Sequence, residues 1–212
     1  MIKKINEILG VKEAYQAPDK LLEIVLDNKS AFEVYHEMLE AHNYDLSYDW
    51  FHKYFQEEHA DRKNKKQDFT PVCIATLLHQ SFEQYDGILY EPSCGTGGII
   101  IQHWKQVREY YGFLRLNPME RIYICEELSE RTIPFLLFNL AIRGVNAIVI
   151  QNNVITREAV AFYHVFNEKN NHMNFSSIIK LDPVFARRIL EKTIGLTFRI
   201  GVEEIGIQHS LY

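Results

Sequence analysis

Three observations predict an α/β fold, a parallel sheet with crossover helices behind a helical N-terminal region. Apolar runs at 88–90, 121–125 and 147–150 are separated by two stretches of helix length, the alternation that builds a parallel sheet. A glycine-rich turn, with Gly95, Gly97 and Gly98 inside four residues, joins the first run to the first stretch. Residues 1–66, by contrast, carry apolar spacing of helical period.

In chain order, Ile5, Ile8 and Leu9 define a first helix, and Pro18 with Asp19 opens a second that buries Leu21, Leu22, Val25 and Leu26. Ser30, with Glu33 three residues on, has the spacing of a capping box and predicts a helix over Ser30–Ala41. A further helix is expected from about Ser47, with Trp50, Phe51, Tyr54 and Phe55 on one broad face, read as packing on the main domain. The polar run 57–68 contains Arg62, Lys63, Lys65 and Lys66 and reads as a solvated linker, or else as a source of phosphate contacts. It marks the expected boundary between a helical region at 1–66 and an α/β domain at 67–212. Thr70 and Pro71 then suit the cap and first turn of a helix over Val72–Phe82.

The strand at 88–90 leads through the glycine turn into a helix running to about Tyr110. Arg121–Cys125 is the second strand, ending in Glu126 and Glu127; a helix over Ser129–Arg143 is closed by Gly144; Ala147–Ile150 is the third strand, followed by Gln151, Asn152 and Asn153. Ligands of such sheets bind at the carboxyl ends of the strands, so the glycine turn, the two acids and the two amides should converge there. An acid ending the second strand is placed to accept hydrogen bonds from ribose hydroxyls. The glycine spacing is not that of a dinucleotide fingerprint, and no Lys-Ser/Thr pair follows it, which argues against a phosphate loop.

Composition narrows the class. With 47% hydrophobic and 24% charged residues the 212-residue chain should form a packed core. A net charge of −5 argues against binding nucleic acid by bulk electrostatics. Lys3, Lys4 and Glu7 break any signal-peptide pattern, and no apolar run reaches membrane-span length, so a cytoplasmic protein is expected. Cys73, Cys94 and Cys125 are an odd, unclustered set, and His164 and His172 lack metal-ligand spacing, so neither disulfides nor a metal site is expected.

Glu-Pro-Ser-Cys-Gly-Thr-Gly-Gly at 91–98 resembles the S-adenosylmethionine loop of adenine-N6 DNA methyltransferases, above all the methylation subunits of type I restriction-modification systems. Phe69-Thr70-Pro71 is similar to the element that precedes this loop and serves the methionine end of the cofactor. Glu127-Leu128-Ser129, with Thr132, Asn139, Leu140 and Gly144, is similar to the family's acidic block and its helix. The resemblance implies a Rossmann-like methyltransferase sheet and S-adenosylmethionine as cofactor. It implies that Phe69, Thr70, Pro71, Glu91, Pro92, Cys94, Gly95, Gly97, Glu127 and Asn153 hold that cofactor, with a one-residue slip between Glu126 and Glu127 left open.

The catalytic tetrapeptide of that family, Asn or Asp, Pro, Pro and an aromatic, is matched only by Asp182-Pro183-Val184-Phe185, whose second proline is a valine. On the resemblance Asp182, Pro183 and Phe185 are the catalytic candidates; on the residues alone they are a turn and helix start. The tail beyond Phe185 suffices for one helix and two strands, Leu196–Ile200 and Gly206–Leu211, and a DNA target recognition domain is not expected. Two functions follow: a DNA adenine methyltransferase or methylation subunit with a degenerate catalytic motif, or a non-catalytic cofactor-binding or assembly module. DNA, a specificity or restriction subunit, or a second copy would be the partner.

Overall fold

In the computed structural model, which describes residues 2–52, 54, 86–112 and 115–200, the sheet is built on three parallel strands. These are β1 (Gly87–Glu91), β2 (Arg121–Glu127) and β3 (Asn146–Asn153), and the intervening helices are α4 (Gly98–Tyr111) and α5 (Ile133–Ala141). Before them come α1 (Ile2–Leu9), α2 (Ala17–Leu26) and α3 (Asn28–Ala41). Beyond β3 the sheet changes character. β4 (Glu158–Phe166) lies antiparallel to β3, β5 (Ser177–Leu181) lies antiparallel to β4, and a short β6 (Arg199–Ile200) pairs with the start of β4. The strand order is β1-β2-β3-β4-β5, so the purely parallel sheet expected becomes mixed.

The sequence expectation passed over β4 because its entry signal is unusual. The turn 154–157 that feeds it contains no glycine; Arg157 itself adopts the left-handed conformation at φ 60°, and Asn153 Oδ1 accepts from the N–H groups of Ile155 and Thr156 at 2.9 and 3.2 Å. An Asx turn replaces the Gly or Pro that normally announces a reversal.

Both crossovers step in the same direction, so right-handed connections put both helices on one face. That face forms the main core: Tyr123, Cys125, Ala147, Val149, Ala161, Tyr163, Val165 and Ile178 from the strands pack with α5, with Ile100 and Trp104 of α4, and with the N-terminal helices. The N-terminal region is therefore not set apart from the sheet. Asn28 Oδ1 accepts from Ile178 N at 2.8 Å, and Arg131 Nη2 donates to Tyr15 O at 2.9 Å. The expected boundary at residue 66 falls outside the described residues, as do Phe55, the linker, the helix over 72–82 and the strand over 206–211. The opposite face is covered by α6 (Pro183–Ile194), whose Ala186 and Leu190 meet Ile124, Ile150 and Phe162.

Local boundaries differ from expectation where side chains cap differently. α3 begins before Ser30, because Asp27 is its cap: Asp27 accepts from Lys29 N at 3.3 Å and from the Ser30 hydroxyl. Helical residues 51, 52 and 54 begin later than Ser47, since Asp49 Oδ1 accepts from Phe51 N at 2.9 Å. Trp50, Phe51 and Tyr54 are buried, and the Phe51 ring lies 4.8 Å from that of Phe135 and 5.2 Å from that of Phe138, the core packing expected of this cluster. α5 starts at Ile133 after a turn over 130–132 and ends before Gly144, whose φ of 65° requires glycine; a Cβ there would meet Asn174 O at 2.4 Å. Among the described residues no helix is long and apolar enough to cross a membrane.

Candidate cofactor site

At the carboxyl end of β1 the chain leaves the sheet through Glu91, 8% exposed, and Pro92. Burial, reinforced by the nearby charge of Glu127, pushes the Glu91 carboxyl up to about 7, although a hydrogen bond with Cys94 opposes the change. Its Oε2 is buried without a hydrogen-bond partner among the described residues. The Cys94 thiol donates to Glu91 O at 3.2 Å; burial first, then Cys125 and the two acids, push that thiol well above its ordinary value. It therefore serves as packing and not as a nucleophile.

The turn is stitched to β2 along its backbone. Cys94 N donates to Glu126 O at 2.9 Å, and Gly95 N donates to Glu127 Oε2 at 2.9 Å, while Gly97 N closes the turn onto Cys94 O at 2.8 Å. Gly97 has φ 96°, and a Cβ on it would lie 3.0 Å from Leu136 Cδ1. Only glycine takes this conformation without strain.

The two acids that end β2 point to opposite faces, as neighbours on a strand must. Glu127, 7% exposed, uses one oxygen for Gly95 N and the other for Ser129 N at 2.7 Å. Each carboxylate oxygen keeps a lone pair for a further donor. Glu126 is fully buried and committed internally. It accepts from Arg157 Nη1 at 3.1 and 2.9 Å, from the Tyr90 hydroxyl at 2.9 Å and from Asn152 Nδ2 at 2.7 Å. Arg157 is held in turn by Thr197 O at 3.0 Å and by the Phe198 ring at 4.5 Å.

The amides after β3 divide similarly. Asn153, the expected cofactor contact, uses its side-chain oxygen on the turn leading to β4. Asn152, 2% exposed, keeps a buried Oδ1 without a hydrogen-bond partner among the described residues. Sequence reasoning had both amides at this strand end but no means of telling which was consumed locally.

A family model, N-6 DNA Methylase, matches residues 42–160, more than half of the chain. The chain belongs to the N-6 DNA methylase family. It is 31% identical over 99 residues to the methylase subunit of the type I restriction enzyme HindI from Haemophilus influenzae (strain ATCC 51907 / DSM 11121 / KW20 / Rd). That similarity covers 47% of this chain and 21% of the relative, so the chain spans a small part of the subunit's length. No solved structure matches it significantly.

The family match takes in the glycine turn, both acids and both amides, but stops short of Asp182. Asp182 caps α6: its Oδ1 accepts from Phe185 N at 2.8 Å, and Pro183 occupies the first turn. Phe185 is 58% exposed. β5, which delivers Asp182, is four places from β1 in the sheet. At ~4.8 Å per strand spacing, about 19 Å separates β5 from β1. Asp182, Pro183 and Phe185 are thus not brought to the glycine turn; Glu91, Cys94, Gly95, Gly97 and Glu127 are gathered there, while Asn152 is hydrogen-bonded to Glu126. Phe69, Thr70 and Pro71 lie outside the described residues.

Proposed function

We propose that this chain is the S-adenosylmethionine-binding core of a DNA adenine-N6 methylase, acting as a methylation subunit or a portion of one. The observation that carries the reading is the Gly95 N to Glu127 Oε2 hydrogen bond, which ties the glycine turn to the acid ending the adjacent strand. The donor set suits the cofactor. Glu127 offers lone pairs to ribose hydroxyls, Asn152 Oδ1 is an unused acceptor for an adenine amino group, and Gly97 leaves the turn open to close approach. Arg157, Tyr90 and Asn152 already use Glu126, which supports giving the ribose role to Glu127.

Glu91 is suited to the cationic end of the cofactor. Buried and poised near neutrality, it gives up its proton when a positive group arrives, so affinity rises with pH through 7. When bound, S-adenosylmethionine supplies an electrophilic methyl group carried on a sulfonium. The chain's residues bind and orient that group.

Asp182, Pro183 and Phe185 are the chain's match to the catalytic tetrapeptide, yet the helix-cap role of Asp182 and its place in the strand order favour a second reading for transfer itself. On that reading the chain binds cofactor and relies on DNA and a methylase, specificity or restriction partner for the chemistry. The test is calorimetric titration with S-adenosylmethionine, followed by methyl transfer to unmethylated DNA. Cofactor uptake with no transfer by the chain alone supports the core-plus-partner reading; transfer abolished by Asp182→Ala restores the tetrapeptide.

A further inference from the structure

Residues 45–50 have no regular structure, yet helices hold them along their length. Arg143 Nε donates to Leu46 O at 3.1 Å and its Nη2 to Tyr48 O at 2.7 Å, while Gln102 Nε2 donates to Ser47 O at 3.4 Å. Arg143 is 2% exposed, and burial lowers it to about 10, which leaves it cationic at neutral pH. Its Nη1 also fixes Asn139, donating to Asn139 O at 2.7 Å and to Asn139 Oδ1 at 3.1 Å.

Asp49 stands at the end of this strap. Its Oδ2 accepts from the Thr96 hydroxyl; its Oδ1 accepts from Asn139 Nδ2 at 2.8 Å and from Phe51 N at 2.9 Å. Asn139 Nδ2 donates in addition to Thr96 O at 2.8 Å. Thr96 is therefore gripped at its side chain and at its carbonyl, by a residue 47 positions earlier and by one on α5. Its neighbours in the turn are the Gly95 that meets Glu127 and the Gly97 at φ 96°.

Three glycines in four residues lose a large conformational entropy on ordering and carry no side chains with which to hold a shape. Thr96 is the turn's handle. We propose that Asp49 is a positioning residue for the glycine turn, acting through Thr96, with Asn139 as the second arm of the same clamp. This assigns the N-terminal strap a part in cofactor binding, and it rests on the cofactor reading above. The bond to Thr96 and the shared Asn139 hold the turn in its binding conformation before a ligand arrives.

The test uses amide hydrogen exchange on the full chain without ligand, together with S-adenosylmethionine titration, for Asp49→Ala, Asp49→Asn and Thr96→Val. Asp49→Asn keeps an oxygen for Asn139 and Phe51 and an amide for the Thr96 hydroxyl, so it should behave like the parent. Asp49→Ala should speed exchange at residues 95–98 roughly tenfold or more, leave β2 and β3 amides unchanged, and weaken cofactor binding in proportion. Thr96→Val breaks the clamp from the other side and leaves the Phe51 cap intact; it should reproduce the effect even if Asp49→Ala does not fold. Parent-like exchange at 95–98 in Thr96→Val, or faster exchange spread evenly over β2 and β3, overturns the proposal. A parent chain that takes up no S-adenosylmethionine refutes the cofactor reading alone, while the exchange measurements still decide the clamp.

Discussion

Replacing Glu91 by Gln should change the pH dependence of stability in a defined direction. In the folded chain Glu91 is 8% exposed, its Oε2 lacks a partner among the described residues and its carboxyl is raised to about 7, whereas in the unfolded chain it titrates in the ordinary glutamate range. Between those values the folded state binds more protons than the unfolded state. Stability is therefore fully present below the unfolded value and falls as pH rises through 7. A tenfold difference in acidity between the two states is worth about 1.4 kcal/mol, so ionising this buried carboxyl costs the fold about 3 kcal/mol by about pH 8.5. Gln keeps the shape and cannot ionise. Urea unfolding of both proteins at intervals from about pH 4 to about pH 8.5 should show near-equal stability at the acid end and a variant about 3 kcal/mol more stable at the alkaline end. Parallel curves for the two proteins would refute the assignment.

Other outcomes follow from the same geometry. Gly97→Val should abolish S-adenosylmethionine binding and destabilise by about 1–3 kcal/mol, because φ 96° is strained for a β-branched residue; calorimetry and thermal unfolding check it. Arg157→Met should cost about 3 kcal/mol by leaving Glu126 buried without its cationic partner, and joint replacement with Glu126→Leu should recover most of that loss, as denaturant unfolding would show. Asp182→Ala should cost about 1 kcal/mol through the lost helix cap and leave cofactor affinity unchanged; a loss of affinity would connect it to the cofactor site.

The core of the fold was legible because its signals are local. The β1-turn-α4-β2-α5-β3 run announces itself through apolar stretches of strand length and through Gly95, Gly97 and Gly144, which take positive φ. What stayed hidden depends on contacts between distant residues. β4 escaped because Asn153 and Arg157 build its entry turn without glycine or proline. The α3 cap escaped because Asp27 and Ser30 are both good caps and only geometry chooses between them. At the site, adjacent acids and adjacent amides look alike in sequence. Only the structure shows that Arg157 occupies Glu126 and that the β4 turn occupies the Asn153 side-chain oxygen. Asp49 gave no signal, since its partners Thr96 and Asn139 are 47 and 90 residues away.

Titrating the purified chain with S-adenosylmethionine beside NAD and ATP decides whether the glycine turn and Glu127 form a cofactor site. S-adenosylmethionine should bind alone, and Glu127→Ala should lose that binding while Glu126→Gln keeps it. Binding of NAD or ATP in its place, or undiminished S-adenosylmethionine affinity in Glu127→Ala, would contradict the account.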